Sequence, residues 1–439
     1  MKIIKTALII FEFLLLLSCT NDKIIELPLT VKKGYGPFET GLRGLPTYRK
    51  DPKREMTYLE ISGIPENWTD VKMGDIETNV YQAVYQNYLL GNISKEKYES
   101  LQKAWSWVPD TVNLSKKPVK CKIAFAFGRD TTGELKMIVD TNNNYNLSDD
   151  DIFSPTEING EKWGNIDSMA LGNSINITYE RFLENKIAKE SAQLFIVHDS
   201  ESGRFMYNFP QYAVAEINGR KIGICSDYFA NLSYNNPGIV LLNDSIKEGD
   251  KVHYNSILSK NEYLEVKNKL YKIIRVNLNR NALIIEKTNL PKNQLYSTQV
   301  GFKSFRFEGS DFKTKTSVSL NDLKGKYVLL DFWSVFCGPC IHEIPNMKGL
   351  YEKIDKTRFE IVGIVGDSPP DVLEKIINEK AITWPQILSD DTNKIKEKYG
   401  ISMYPTNFLL DTEGTIIAKN IIGKELENKI LNLLNKKLQ

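Results

Sequence analysis

Two cysteines separated by Gly338-Pro339 constrain this chain more than any other feature. They close the stretch Asp331-Phe332-Trp333-Ser334-Val335-Phe336-Cys337-Gly338-Pro339-Cys340, which follows the apolar run Tyr327-Val328-Leu329-Leu330. An apolar run with aromatic and β-branched residues and no breaker predicts a buried parallel strand. Pro339 suits the first turn of a helix, where its missing N–H costs nothing. The strand therefore runs into a turn and then a helix, Cys340-Ile341-His342-Glu343-Ile344-Pro345-Asn346-Met347, which Pro345 is expected to kink.

That order has chemical consequences. A thiol at a helix N-terminus faces unpaired backbone N–H groups and the positive end of the helix dipole, which favours its thiolate. In such Cys-X-X-Cys pairs the thiol pKa falls to about 7 or lower, from about 8.5. Cys337 is read as the exposed nucleophile, and Cys340, one turn further on, as the resolving thiol that closes the disulfide. The competing use of a cysteine pair is half a zinc site. Zinc needs two further ligands at suitable spacing, and the chain offers no second Cys pair and only His198, His253 and His342.

Trp333, Cys337-Gly338-Pro339-Cys340 and Tyr404-Pro405-Thr406 resemble the thioredoxin fold, specifically its membrane-anchored TlpA/ResA-like branch of thiol-disulfide oxidoreductases. The resemblance covers residues 298–439. It implies that Pro405 is the family's cis-proline, leaving the preceding carbonyl free to pair with a substrate backbone. It implies that Asp331, six residues before the first cysteine, is a buried proton acceptor for Cys340. It matches Glu343 to an acid found after the second cysteine; a solvated helix glutamate is the competing reading. Phe336 stands where the family usually has Trp, which alters the apolar collar for the partner and not the electron transfer. No cofactor is implied. The implied partners are a disulfide-bearing protein substrate and a membrane thiol protein that donates electrons.

The remaining chain sets the context. Its 439 residues are 41% hydrophobic and 26% charged, with a net charge of +2 and no basic block, so nothing favours nucleic acid. Residues 1–18 form a targeting segment: Lys2 and Lys5 are its positive end, and Ala7 to Leu17 is apolar apart from Glu12. The apolar part is too short to span a bilayer. It ends Leu16-Leu17-Ser18-Cys19, which resembles a bacterial lipobox, so Cys19 is expected to be lipidated after signal cleavage. This places the protein in the bacterial cell envelope, periplasm-facing or on the surface, held to a membrane by lipid. Disulfides persist there. A dithiol near −270 mV, roughly the thioredoxin value, is strongly reducing in that setting.

Residues 19–55, rich in Gly and Pro, are expected as a tether, and 56–115 as a strand at 56–61 followed by two helices. Val80, Tyr81, Val84, Tyr85, Tyr88 and Leu89 share one helical face, and Gly91 can end that helix. Ser94 can cap the second, which carries Tyr98, Leu101 and Trp105. This aromatic stripe reads as core. Residues 116–292 turn to β, with hairpins around Thr131-Thr132-Gly133, between 197 and 205, around Asn218-Gly219, and around Asn277-Leu278-Asn279-Arg280-Asn281. They predict an antiparallel sandwich or open barrel.

One loop there, Asp140 to Asp151, follows an EF-hand-like rhythm. Asp140, Asn142, Asn144, the Asn146 carbonyl and Asp151 would supply oxygens to calcium, with Leu147 turned inward. Tyr145 replaces the usual glycine and Asp151 the usual Glu, and an Asn-rich hairpin held by side-chain turns is the competing reading. Cys225-Ser226-Asp227-Tyr228-Phe229-Ala230-Asn231 is a faint echo of this loop. Cys121 and Cys225 are expected either as a structural disulfide or as buried free thiols.

After the cysteine pair come a strand at 359–365, helices at 370–381 and 393–399, a hairpin at 407–410 and 415–418, and a closing helix at 424–438. The expected molecule is multidomain: an N-terminal helical pair and antiparallel β-sandwich or barrel-like domain, then a C-terminal α/β thioredoxin-like domain. The expected activity is protein-disulfide reduction. A thiol oxidase or isomerase, or a ligand-binding surface lipoprotein with an accessory redox domain, are the alternatives.

Overall fold

The computed structural model of the protein describes residues 23–435, apart from 106, 160–161, 243–245, 247–249 and 254–255. The targeting segment 1–18 and Cys19 lie outside the described residues. Among the described residues no helix is long and apolar enough to cross a membrane.

The C-terminal third is a five-stranded mixed sheet, ordered Gln386–Leu388, Phe359–Val365, Tyr327–Trp333, Thr406–Leu410, Ile416–Lys419. The first three strands are parallel, Thr406–Leu410 runs antiparallel to them, and Ile416–Lys419 turns back antiparallel to Thr406–Leu410. Tyr327–Trp333 is central because both its faces are apolar. Leu329 and Trp333 point to one side, packing with Ile344, Met347 and Leu350 of the helix Gly338–Lys353, Leu373 and Ile377 of Pro370–Glu379, and Leu426 and Ile430 of Gly423–Asn435. Val328, Leu330 and Phe332 point to the other, against Tyr399, Phe408 and Phe307. The period of two along a strand fixes this division and places Asp331 on the face of Leu329 and Trp333. Leu329, Leu330 and Ile361 are fully buried, and each such side chain contributes roughly 1.5–3 kcal/mol. Helix Gly338–Lys353 runs through Pro345 and continues to Lys353, eight residues beyond it.

The N-terminal region is built mainly from antiparallel sheets, with one parallel pairing, Thr156–Ile158 beside Lys186–Asp199, and several of its strands come from distant parts of the chain. Residues expected as a tether enter the fold at once. Ile24–Pro28 pairs with Ala282–Thr288, and Thr30–Lys33 pairs with Gln211–Ile217. The strand expected at 56–61 does not form. The chain makes a short helix, Pro52–Glu55, and the strand comes later, at Thr69–Glu77, beside Lys122–Arg129. At 56–61 the backbone is fixed by side chains: Tyr58 stacks on Tyr48 at 4.0 Å, and the Leu59 N–H donates to the Tyr48 hydroxyl.

Two helices follow, Val80–Leu89 and Lys95–Ala104, the second capped by Ser94 accepting from the Lys97 N–H. Tyr81, Tyr85 and Tyr98 form a buried cluster with Leu114. Lys122–Arg129 pairs with Leu135–Val139, Lys186–Asp199 with Arg204–Asn208, Gln211–Ile217 with Arg220–Cys225, and Lys269–Asn277 with Ala282–Thr288. A strand without an expectation from the sequence, Ile175–Leu183, pairs with Lys186–Asp199 across Glu184 and Asn185. Both turn residues take positive φ without a glycine to mark them.

Cys121 and Cys225 are both free and buried. The disulfide considered for them is not made. Cys225 packs with Phe38 and Phe229 and Cys121 with Ala83 and Val119, in separate clusters.

Candidate active site

The central strand ends at Trp333, and the chain turns at once into the redox helix. Cys337 is the N-cap of Gly338–Lys353, with Pro339 in the first turn. The Cys340 N–H donates to the Cys337 Sγ at 3.1 Å, so one of the helix's unpaired amides is aimed at that sulfur. The two cysteines form a disulfide, with Cα atoms 5.2 Å apart. Cys337 is half-buried and Cys340 is only 4% exposed. The outer sulfur is therefore the one a partner reaches.

A turn and a neighbouring loop hold this geometry. The Cys337 N–H donates to the Ser334 carbonyl and the Phe336 N–H to the Ser334 hydroxyl. The Ser368 hydroxyl accepts from the Val335 N–H and donates to the Gly366 carbonyl. Asp367, next in the chain, accepts from the Tyr404 hydroxyl at 3.0 Å and is ion-paired to Lys396. Burial pushes the Asp367 carboxyl up, but the hydrogen bonds and charge of Lys396 and Tyr404 win and hold it below the usual range. Residues 366–368 thus tie the cysteine turn to the segment around Tyr404. Contact is close enough that a Cβ on Gly366 would collide with the Tyr404 hydroxyl.

The Tyr404–Pro405 bond is cis. Thr406 lies opposite Phe332 in the sheet register, which puts Pro405 at the end of the central strand from which Cys337 emerges. The proline begins its strand without removing a ladder donor.

Asp331 is buried at 6% exposure, between Gly363 and Asn407 in the register and on the sheet face that packs the cluster containing Cys340. Burial, with a smaller contribution from the Glu343 charge, raises its carboxyl to about 7. Glu343 is not a free surface glutamate. One oxygen accepts from the Gly423 N–H at 2.7 Å, at the start of the last helix, and the other from Asn346. The Trp333 indole donates to the Gln386 side chain at 2.9 Å, locking the ring under the site. Gln386 and the Ser368 loop were missed by the sequence reading, because their partners lie over 30 residues away.

Beside the cysteines lies a groove of about 650 Å³ lined by Val335, Phe336, Ile341, His342 and Pro345, among others. Phe336 is 73% exposed at its rim.

The loop offered to calcium is far from this site in sequence and is closed on itself. The two Asp140 oxygens accept from the Asn144 and Tyr145 N–H groups. The Asn142 and Asn144 amides both donate to Asp149, and the Asn146 side-chain oxygen caps Ser148. Asp151 is exposed. These are the bonds of a side-chain-turned hairpin, and among the described residues no group of three or more His, Cys, Asp or Glu side chains is gathered for a metal.

Residues 300–419 match the AhpC/TSA family. A thiol-disulfide oxidoreductase ResA from Bacillus thuringiensis (strain Al Hakam) is 33% identical over 138 residues, covering 31% of this chain and 78% of the relative. The ResA of Bacillus subtilis (strain 168) is 34% identical over 119 residues, 27% of this chain and 65% of that one. A crystal structure of the thioredoxin domain of a thiol-disulfide oxidoreductase from Bacteroides vulgatus is 35% identical, covering 32% of this chain and all of that one, with a TM-score of 0.30.

Proposed function

The chain belongs, through its C-terminal third, to the ResA family of thiol-disulfide oxidoreductases, and from that premise we propose that it is a lipid-anchored, extracytoplasmic protein-disulfide reductase. The observation that carries this reading is the asymmetry of the pair: Cys337 at the helix mouth and half-exposed, Cys340 buried on the face that Asp331 shares. A pair that only stabilised the fold would have no need of an exposed sulfur.

In the dithiol form the Cys337 thiolate attacks one sulfur of a substrate disulfide. The substrate S–S bond breaks, its other sulfur leaves as a thiolate and takes a proton from water, and a mixed disulfide forms. Cys340 then gives its proton to Asp331 and attacks the Cys337 sulfur. The mixed disulfide breaks, the second substrate thiol leaves, and the enzyme ends with the Cys337–Cys340 bond. Two electrons have passed to the substrate. Asp331, raised to about 7, sits where a carboxylate exchanges protons readily near neutral pH. Pro405 leaves the Tyr404 carbonyl for a substrate backbone N–H, and Glu343 sets the charge beneath Asp331. The exchange uses sulfur alone and needs no cofactor. A thiol protein in the membrane returns the pair to the dithiol. Cys19 carries the lipid, and the N-terminal β region, read as a sandwich of antiparallel sheets, presents the redox domain to its partners.

Insulin-disulfide reduction driven by dithiothreitol tests the chemistry: wild type turns over, and Cys340→Ser accumulates a mixed disulfide stable to gel electrophoresis without reductant. A Cys340→Ser protein that turns over like wild type sinks the mechanism. Radiolabelled palmitate incorporated by wild type but not by Cys19→Ser tests the anchor separately. The midpoint potential sets the direction, because a value at or above about −180 mV, that of protein disulfide isomerase, makes the protein an oxidase or isomerase.

A further inference from the structure

The turn Asp227–Phe229 holds its backbone in a conformation that L residues avoid. Tyr228 has φ 48° and Phe229 φ 57°. Such strain persists only where surroundings over-determine it, and here they do. Phe229 is 1% exposed and edge-on to Tyr35 at 4.9 Å, and its carbonyl accepts from the Phe209 N–H. Asp227 is paired with Arg43. Gly41 passes so close that a Cβ there would come within 2.6 Å of the Tyr228 carbonyl oxygen, and Asn208, fully buried, fixes the Gly41 carbonyl. All of this anchors the turn, yet the Tyr228 side chain at its tip is left 57% exposed.

The ring reaches across to the redox domain. The Tyr228 hydroxyl donates to the Met403 sulfur at 3.4 Å, from a residue 175 positions earlier in the chain. Met403 is itself 49% exposed and immediately precedes Tyr404 and the cis-proline. Met403 stays at the same end as Pro405, because the Thr406 hydroxyl, opposite Phe332 in the register, donates to the Met403 carbonyl at 2.9 Å. On the helix side of Cys337 lie exposed Phe336 and the groove it rims. An aromatic ring and a thioether in contact make an adaptable apolar surface.

We infer that Tyr228, although outside the redox domain, is a specificity-determining residue for its exchange reaction: with Met403 it forms an apolar rim beside the cis-proline segment, and this rim packs on an apolar side chain next to the substrate's cystine. The favoured substrates are polypeptides whose disulfide has apolar neighbours. This rests on the reductase reading above, since a rim beside the sulfurs matters only if polypeptide disulfides come to them.

The test uses the full-length chain and two disulfide-bridged peptides of equal length and charge, one with Leu and one with Ser beside the cystine. Wild type is expected to favour the Leu peptide by about 10-fold in kcat/KM, the discrimination an apolar contact supplies, mostly through KM. Tyr228→Ala and Met403→Ala should each bring that ratio near one, while Tyr228→Phe keeps it. Reduction of hydroxyethyl disulfide, which has no polypeptide flank, and the midpoint potential should not move in any variant; both would shift if the redox domain were merely loosened. A Tyr228→Ala protein that keeps the wild-type preference overturns the inference, as does a wild type that shows none. A wild type that reduces neither peptide nor insulin overturns the reductase reading itself.

Discussion

The redox domain holds its two cysteines at the mouth of a helix, while the N-terminal region buries the two that lie among its described residues, Cys121 and Cys225. Cys337 is half-buried with an amide aimed at its sulfur. Cys121 is 1% exposed and Cys225 7% exposed, and each sits in a cluster of apolar side chains. Burial pushes the Cys225 thiol up to about 12 and the Cys121 thiol further still. One residue type is thus open to a partner in one region and packed as small apolar filler in the other. The difference is first burial, which penalises a thiolate in the core, and second the helix N-terminus, whose amide is aimed at the half-buried Cys337 sulfur.

The strongest way to break that contrast is to remove each sulfur in turn. Cys337→Ser should reduce insulin-disulfide turnover to background, a loss of at least about 10³-fold given the thiolate's role as nucleophile, whereas Cys121→Ala and Cys225→Ala should stay within about twofold. Loss of turnover in either core variant would mean the two regions share chemistry. Alkylation sharpens the same comparison. In the native, reduced protein iodoacetamide should label Cys337 roughly 10³-fold faster than Cys121 or Cys225, because only the thiolate reacts; peptide mapping reads the sites.

The two regions also differ in how far their sequences disclose them. In the redox domain, neighbouring elements in sequence are neighbours in space. Tyr327–Trp333, its helix and Phe359–Val365 form one continuous βαβ unit, so periodicity and one motif suffice. Pro405 and Asp331 came from resemblance, and the register then set both on the central strand's working end or face. Glu343 was ambiguous because its hydrogen-bond partner, Gly423, lies 80 residues away.

The N-terminal region is held by non-local pairs. Glu26 faces Ile284 and Val31 faces Ala213, and no window of a dozen residues contains that information. Its Gly- and Pro-rich opening therefore read as slack chain. Residues 56–61 have the composition of a strand but no partner to complete a ladder. The Tyr228–Met403 contact joins the two regions and left no mark in either stretch.

Further down the scale of effect is Asp331, proposed above as the proton acceptor. Asp331→Asn should slow resolution of the mixed disulfide by about 10²-fold, the usual contribution of general acid–base catalysis, and should abolish the rise in that rate as pH passes through about 7, where Asp331 loses its proton. Stopped-flow tryptophan fluorescence follows the step.

The same carboxyl governs stability. A group whose folded pKa stands above its unfolded value of about 3.9 binds more protons when folded. Its stabilisation is complete below about pH 4 and is lost as pH rises toward 7, by about 4 kcal/mol. Urea unfolding of the oxidised protein at pH 4, 5.5 and 7.5 should show this decline in wild type and a flatter profile in Asp331→Asn. A wild-type midpoint that climbs over that range would place the charge on Asp331 in a polar setting instead.

The smallest effect belongs to Glu343. Gln at that position keeps an acceptor for the Gly423 N–H but removes the charge that raises Asp331. Turnover should remain within about threefold, and the pH midpoint of resolution should move down by less than one unit, since a unit corresponds to about 1.4 kcal/mol and the charge is the lesser of the two causes. A midpoint that stays put would leave burial as the sole source of the shift.

Pairing of Ile24 with Glu286 has a mechanical consequence. With lipid on Cys19, as proposed, the chain between the acyl group and the first strand spans at most about 18 Å when fully stretched. A mooring that short allows the body little swing above the bilayer. Clients and reductant alike must travel to a catalytic mouth whose height is set by the fold, and lengthening the leash by a flexible insert before Ile24 would be felt by whichever of them reaches up from the membrane, and not by those arriving from solution.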